Sequence, residues 1–141
     1  MKPVLEAKST YKGYPYVVLF MPGTYRCGYV GVPYSHKLAK KNVDVLGYLS
    51  CHGGVTYAES YLYNCDDEDT WWIGFDCAHC FDGYDIETAN QYFGDDPDFK
   101  RIFHTMEDFW RESNNDPDIK ICSLAYVKDE CKKLIDQIEK E

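Results

Sequence analysis

The chain of 141 residues contains no apolar run long enough to span a membrane. Its first residues lack the basic-then-apolar order of a secretory signal, so a cytoplasmic location is expected. Phosphate-loop and dinucleotide glycine fingerprints are missing too, which excludes the ordinary ATP and NAD folds. Between Asn42 and Phe99 there is no lysine or arginine at all. With a net charge of −9 and a pI near 4.8, the protein is a poor match for a nucleic-acid backbone, and no nucleic-acid partner is expected. The cysteines are seven, an odd number at irregular spacing, which suits reduced thiols in a core better than a disulfide framework. There is no internal repeat and no low-complexity tract.

What is present is a single domain's worth of chain, rich in tyrosine and acidic residues. A length of 141 residues is enough for one core without covalent staples. Thirteen tyrosines supply both apolar mass and hydrogen-bonding rims. The acidic residues of the lysine-free stretch read either as solubility and loop chemistry or as a face that meets a basic partner.

In chain order, residues 1–13 read as an exposed lead-in. Residues 14–21 form a strand closed by Pro22-Gly23, and residues 26–33 a second one, close enough to make an antiparallel hairpin. Gly28 and Gly31 alternate along it and imply a bend or close backbone approach. Residues 35–41 are expected to make one short helical turn. Residues 55–63 and 71–79 are expected to pair as another hairpin across the polar loop 66–70. Beyond it the pattern weakens, with Asp82-Gly83 as a turn. Asp96-Pro97 then opens a helix whose Phe99, Ile102, Phe103, Met106, Phe109 and Trp110 make one stripe. A last helix runs from about Ser123, with Leu124, Val127, Cys131, Leu134, Ile135 and Ile138 on its buried side. The expected fold class is α+β: one domain, residues 1–141, with an antiparallel sheet of about four strands carrying C-terminal helices.

The chemistry concentrates in Trp71-Trp72-Ile73-Gly74-Phe75-Asp76-Cys77-Ala78-His79. Period two puts Trp72, Gly74 and Asp76 on one strand face and Trp71, Ile73, Phe75, Cys77 and His79 on the other. Asp76, Cys77 and His79 at its end are either a site or a satisfied polar terminus. Four chemistries fit these residue types. A metal could take Cys77, His79 or Cys80 with His52, but there is no second knuckle, and the assignment is no metal and no cofactor. Cys77 could act as a nucleophile with His79 or His52 as base, although acidic surroundings raise a thiol pKa. A small ligand could use the backbone of His52-Gly53-Gly54 for an anionic oxygen, with Tyr29, Tyr57 and Trp72 as flat faces. Arg26, His36 and His52 would supply charge, and Asp76 and His79 the polar end of the pocket. A protein–protein inhibitor would need only the acidic face.

The blocks Gly28-Tyr29-Val30-Gly31-Val32-Pro33, His52-Gly53-Gly54-Val55-Thr56-Tyr57 and Trp71 through His79, with the nearby His36, resemble the signature blocks of a family of small phage- and prophage-encoded proteins. The run Ala125-Tyr126-Val127-Lys128-Asp129-Glu130 is similar to that family's closing helix. Against that pattern, residues 85–118 read as a helical insertion. The resemblance implies context rather than chemistry: a phage-type accessory protein in the host cytosol. The expected function is binding of a small, nucleotide-like ligand to counteract host defence. Its alternative is acidic inhibition of a host defence protein, with a small Cys/His/Asp hydrolase third. The partner is then a small-molecule ligand or a host protein, with no membrane partner, and self-association into a homo-oligomer stays open.

Overall fold

A computed structural model describes residues 1–141. Its sheet is antiparallel and five-stranded, in the order β1-β2-β3-β5-β4, with β1 Val4–Tyr11, β2 Tyr14–Phe20, β3 Arg26–Pro33, β4 Tyr57–Glu59 and β5 Thr70–Asp76. Three α-helices follow: α1 Ile86–Phe93, α2 Pro97–Asn114 and α3 Leu124–Ile138. The α+β class holds, and both expected hairpins belong to one sheet. β5 lies between β3 and β4, not at an edge, as its near-continuous apolar sequence requires.

The alternation along β5 separates two clusters. Ile73, Phe75 and Cys77 join Val18, Val30 and Val32 under α3, whose Val127, Cys131, Leu134, Ile135 and Ile138 are all fully buried. Trp72 faces the other way, into Val17, Leu19, Cys27, Tyr29 and Leu62, where the 59–69 connection covers the sheet. Gly28 is the point of closest approach. A Cβ there would stand 2.5 Å from Phe75 Cζ and 2.8 Å from Cys131 Sγ, so only glycine lets α3 and Phe75 meet over β3.

Two expectations change, and two gain detail. Residues 1–13 are not a lead-in but the edge strand β1, paired with β2 through a two-residue turn in which Lys12 and Gly13 both have positive φ (51° and 83°). The sheet therefore has five strands. Its outer residues Lys8, Ser9 and Thr10 are exposed, the usual way of blunting an edge, and this polarity hides the strand in the sequence. Residues 35–41 make successive turns closed by His36 N to Pro33 O and Ala39 N to His36 O rather than a helix. The weakly patterned stretch holds α1, capped by Asp85, whose carboxylate accepts from the Thr88 amide.

Helices α1 and α2 keep their own apolar cluster, in which Ile86, Ala89, Phe93, Phe99 and Trp110 gather on Phe20. Asp96 caps α2 with Pro97 in its first turn, as read from the sequence. Ile102 and Phe109 stay exposed, so only part of the stripe is used. Because Trp110 is 6% exposed, Trp110→Ala should cost about 3–5 kcal/mol in urea unfolding. Gly28→Ala should cost about 1–3 kcal/mol by overpacking in the same measurement, since neither Phe75 nor Cys131 has room to retreat.

Candidate functional site

Three segments meet beyond the C-terminal end of β5. The turn after β5 is organised by its own acids. Asp76 Oδ1 accepts from the Ala78 amide, and Asp82 Oδ2 accepts from the His79 amide at 2.9 Å, folding the 79–82 loop back on itself. The segment before α3 lies alongside: Gly83 N donates to Lys120 O at 2.7 Å, and a Cβ on Gly83 would strike Ile121 and the Lys120 backbone. That contact brings Cys122 to Asp82. From the third side comes the turn 51–54, closed by Gly54 N to Cys51 O, with Gly53 and Gly54 at φ +69° and +86°. Gly53 has to lack a side chain, because its Cβ would sit 2.1 Å from His79 Cε1.

At the centre is the Asp82 carboxylate, 3% exposed at its side chain. Oδ1 lies 2.7 Å from His52 Nε2, and Oδ2 lies 2.9 Å from His79 Nδ1. The far nitrogen of His52 meets the Tyr126 hydroxyl at 2.8 Å. Cys122 Sγ is 3.6 Å from His52 Nε2 and 3.5 Å from Asp82 Oδ1. Cys77 Sγ lies within 4.8 Å of Cys122 Sγ, and that neighbour together with burial pushes its thiol well above the ordinary range. The Tyr126 phenol is pushed up to about 12, chiefly by burial, and stays protonated. Phe81 stacks flat on His79, with centroids 5.0 Å apart and planes at 2°, and meets His52 edge-on.

Three hollows share Asp82 as a wall. The one at His52 has a volume of about 260 Å³ and is lined also by Phe81, Asp118, Lys120, Ile121, Cys122 and Tyr126. Phe81, Ile121 and Tyr126 present exposed apolar surface there.

Of the residues singled out in the sequence, His52, Gly53, Asp76 and His79 converge as expected, with His79 Nε2 3.8 Å from Asp76 Oδ1. They converge through the 51–54 turn rather than by strand pairing, because β4 starts only at Tyr57 and Thr56 N ends the ladder on Gly74 O. The Gly54 amide is spent closing that turn. Tyr29 and Tyr57 pack edge-on, 5.1 Å apart, around a separate hollow of about 290 Å³ that Asp76 also borders. Trp72 is 1% exposed inside its cluster, and His36 sits on Tyr14 with its Nδ1 accepting from Leu38 N. Residues not anticipated are Phe81, Asp82, Lys120, Cys122 and Tyr126. Only Asp82 carried a signal, as half of a turn dipeptide.

Arg26 is 5% exposed, and its guanidinium is already engaged. It donates to both Glu6 oxygens, to Asp85 Oδ2 at 2.7 Å and to the Cys122 carbonyl at 3.0 Å. It braces the site from behind instead of facing a ligand. Burial pushes the Asp85 carboxyl up, but the Arg26 guanidinium and the Thr88 hydroxyl and amide outweigh it, leaving the pKa below its ordinary value.

Comparison with known proteins finds no matching family model, curated protein or solved structure.

A depressed carboxyl pKa contributes stability that is present above the unfolded value of about 3.9 and is lost as pH falls through the folded one. Arg26→Met should therefore cost about 3–5 kcal/mol at neutral pH, because Glu6 and Asp85 are left without their counter-charge. The deficit should narrow as pH falls below the unfolded value of about 3.9 and through the lowered folded pKa of Asp85. Urea unfolding across pH measures both.

Proposed function

We propose that this protein binds a small nucleotide-like ligand in the His52 cleft and, as a phage-type accessory protein, counteracts host defence by withdrawing that ligand. The cleft itself carries the reading. Exposed aromatic faces at Phe81 and Tyr126 both meet the His52 ring edge-on, 5.5 Å between centroids, and Lys120 stands on the same wall. A planar base suits the aromatic faces, which contribute about 1–3 kcal/mol per stacked base. An anionic group suits the ammonium of Lys120. The hydrogen-bonded edge of such a ring would find Asp82, His52 and the Tyr126 hydroxyl already oriented by one another. A cleft of about 260 Å³ accommodates one ring and its immediate substituent, with any further part lying along the neighbouring hollows.

The resemblance to phage-encoded proteins supports the accessory and anti-defence role. Against simple inhibition by an acidic face, several acids of the lysine-free stretch have internal work. Asp67 holds Lys8, Asp85 holds Arg26, Asp96 caps α2, and Asp82 is buried. Nucleophilic chemistry at Cys77 is disfavoured by a thiol that is 2% exposed and held protonated.

The test is a thermal-shift and equilibrium-dialysis panel of bases, nucleosides, mononucleotides and dinucleotides. At least one should raise Tm; Phe81→Ala should weaken that ligand about 5- to 150-fold, the span of one lost stack, and Lys120→Ala should weaken it where it carries an anionic group. Both side chains are exposed, so Tm without ligand should stay within a degree or two of the wild type. If no member of the panel binds, or if both variants bind as tightly as the wild type, the reading fails.

A further inference from the structure

We infer that His52, Cys77, Cys122 and Asp82 form a binding site for one divalent transition-metal ion, zinc(II) by its chemistry. The sequence ranks a metal low because Cys77-Ala78-His79-Cys80 has no matching second knuckle. Folding supplies the missing half from 40 and 45 positions away, Cys122 against Asp82 and Cys77. The donor atoms of His52, Cys77 and Cys122 all lie within 4.8 Å of one another, and so do those of His52, His79 and Asp82.

The spacings suit a tetrahedral ion. Zinc–sulfur bonds of about 2.3 Å and zinc–nitrogen bonds of about 2.0–2.1 Å place the two donors about 3.5–3.6 Å apart. Cys122 Sγ and His52 Nε2 stand at 3.6 Å. The corresponding sulfur–oxygen edge is about 3.5–3.7 Å, and Cys122 Sγ and Asp82 Oδ1 stand at 3.5 Å. Of these three edges the last differs: His52 Nε2 and Asp82 Oδ1 are at 2.7 Å, the distance of a hydrogen bond, where zinc asks for about 3.4 Å. The two side chains would part by about 0.7 Å when the ion takes the proton's place.

The surroundings are those of a metal ligand set. A ligating imidazole normally donates its other N–H to an oriented acceptor, and His52 Nδ1 faces the Tyr126 hydroxyl at 2.8 Å. A ligating carboxylate normally has its free oxygen hydrogen-bonded, and Asp82 Oδ2 accepts from the His79 amide and sits 2.9 Å from its ring nitrogen. The Cys77 amide donates to Arg26 O, and Arg26 itself donates to the Cys122 carbonyl, so both sulfur-bearing segments are fixed. Metal entry releases the two thiol protons to solvent, while the imidazole holds its one proton on Nδ1, whose N–H donates a hydrogen bond to the Tyr126 hydroxyl oxygen. Two thiolates and a carboxylate around a dication leave one net negative charge. Two adjacent buried thiols and a buried carboxylate are thus matched by one ion better than by protons alone.

The test uses reduced, metal-depleted wild-type protein with zinc(II) and cobalt(II) alone. One equivalent should bind per chain, with a rise in Tm and the intense visible absorption of tetrahedral thiolate-bound cobalt. Cys122→Ser, Cys77→Ser and His52→Ala should each lose the bound ion. Tyr126→Phe, which removes only a half-exposed hydroxyl, should weaken affinity about 10- to 100-fold and keep the fold. Cys65→Ser and Cys80→Ala, outside the set, should bind like the wild type. Absence of stoichiometric uptake would falsify the site, as would full affinity in both Cys122→Ser and Tyr126→Phe or loss of the ion in Cys80→Ala. A Cys77–Cys122 disulfide in the oxidised protein, with no uptake after reduction, overturns it in favour of a redox pair. Because the probe is the metal alone, the outcome is independent of whether any nucleotide binds.

Discussion

One buried guanidinium ties together parts of the chain that have little else in common. Arg26 opens β3, yet its partners are Glu6 on the edge strand, Asp85 and Thr88 at the start of α1, and the Cys122 carbonyl just before α3. An arginine at 5% exposure is tolerable only when its donors are met, because desolvating a charge costs several kcal/mol. The planar fork meets that demand with two carboxylates and a carbonyl at fixed angles. It therefore also fixes geometry: β1, α1 and the lead into α3 cannot shift separately without leaving a charge unpaired. Cys122 inherits its position from this arrangement, and the site inherits Cys122.

The local patterns of the chain were legible because they rest on short-range periodicity. Alternation along β5 divided Trp72 from Ile73, Phe75 and Cys77 correctly, and the spacing of Val127, Cys131, Leu134 and Ile138 identified the face of α3 that lies on the sheet. Elements with weak or misleading patterns were missed, as β1 was, or read only as part of a helical segment, as α1 was within residues 85–118. β1 shows polar residues where an exposed edge needs them, and the short helix α1 has only Ile86, Ala89 and Phe93 buried. The Lys12-Gly13 pair was the available signal for β1, since a two-residue hairpin turn needs positive φ at both positions.

The site was half legible for a related reason. His52, Asp76 and His79 stand in conspicuous blocks, but it is the 51–54 turn ahead of β4, not strand pairing, that brings His52 to the other two. Asp82 and Cys122 come together through one parallel bridge, Asp82 to Lys120, which no spacing rule announces. Arg26 shows the opposite error. A lone arginine among acids looks like a ligand-binding cation in a sequence, while burial turns it into an internal tie. Side-chain type suggests the chemistry available, and exposure decides where it is spent.

The position of the cluster follows from how the two layers end. Helix α3 covers the sheet from Leu124 onward, and the apolar side of β5 finishes at Cys77, so past that point neither layer has a hydrophobic face to offer. The chain fills the gap with side chains that bond to one another: a carboxylate between two imidazoles, two thiols and a phenol. Glycine is needed where segments cross this gap, at Gly53 against His79 and at Gly83 against Ile121, because any Cβ would hold the pieces apart. A polar cluster assembled from separate segments at such close range cannot lose one member quietly, since each donor or acceptor left over is a buried polar group without a partner. Structure and chemistry are therefore coupled here: whatever occupies the site, proton or ion, also holds the end of β5 to the start of α3.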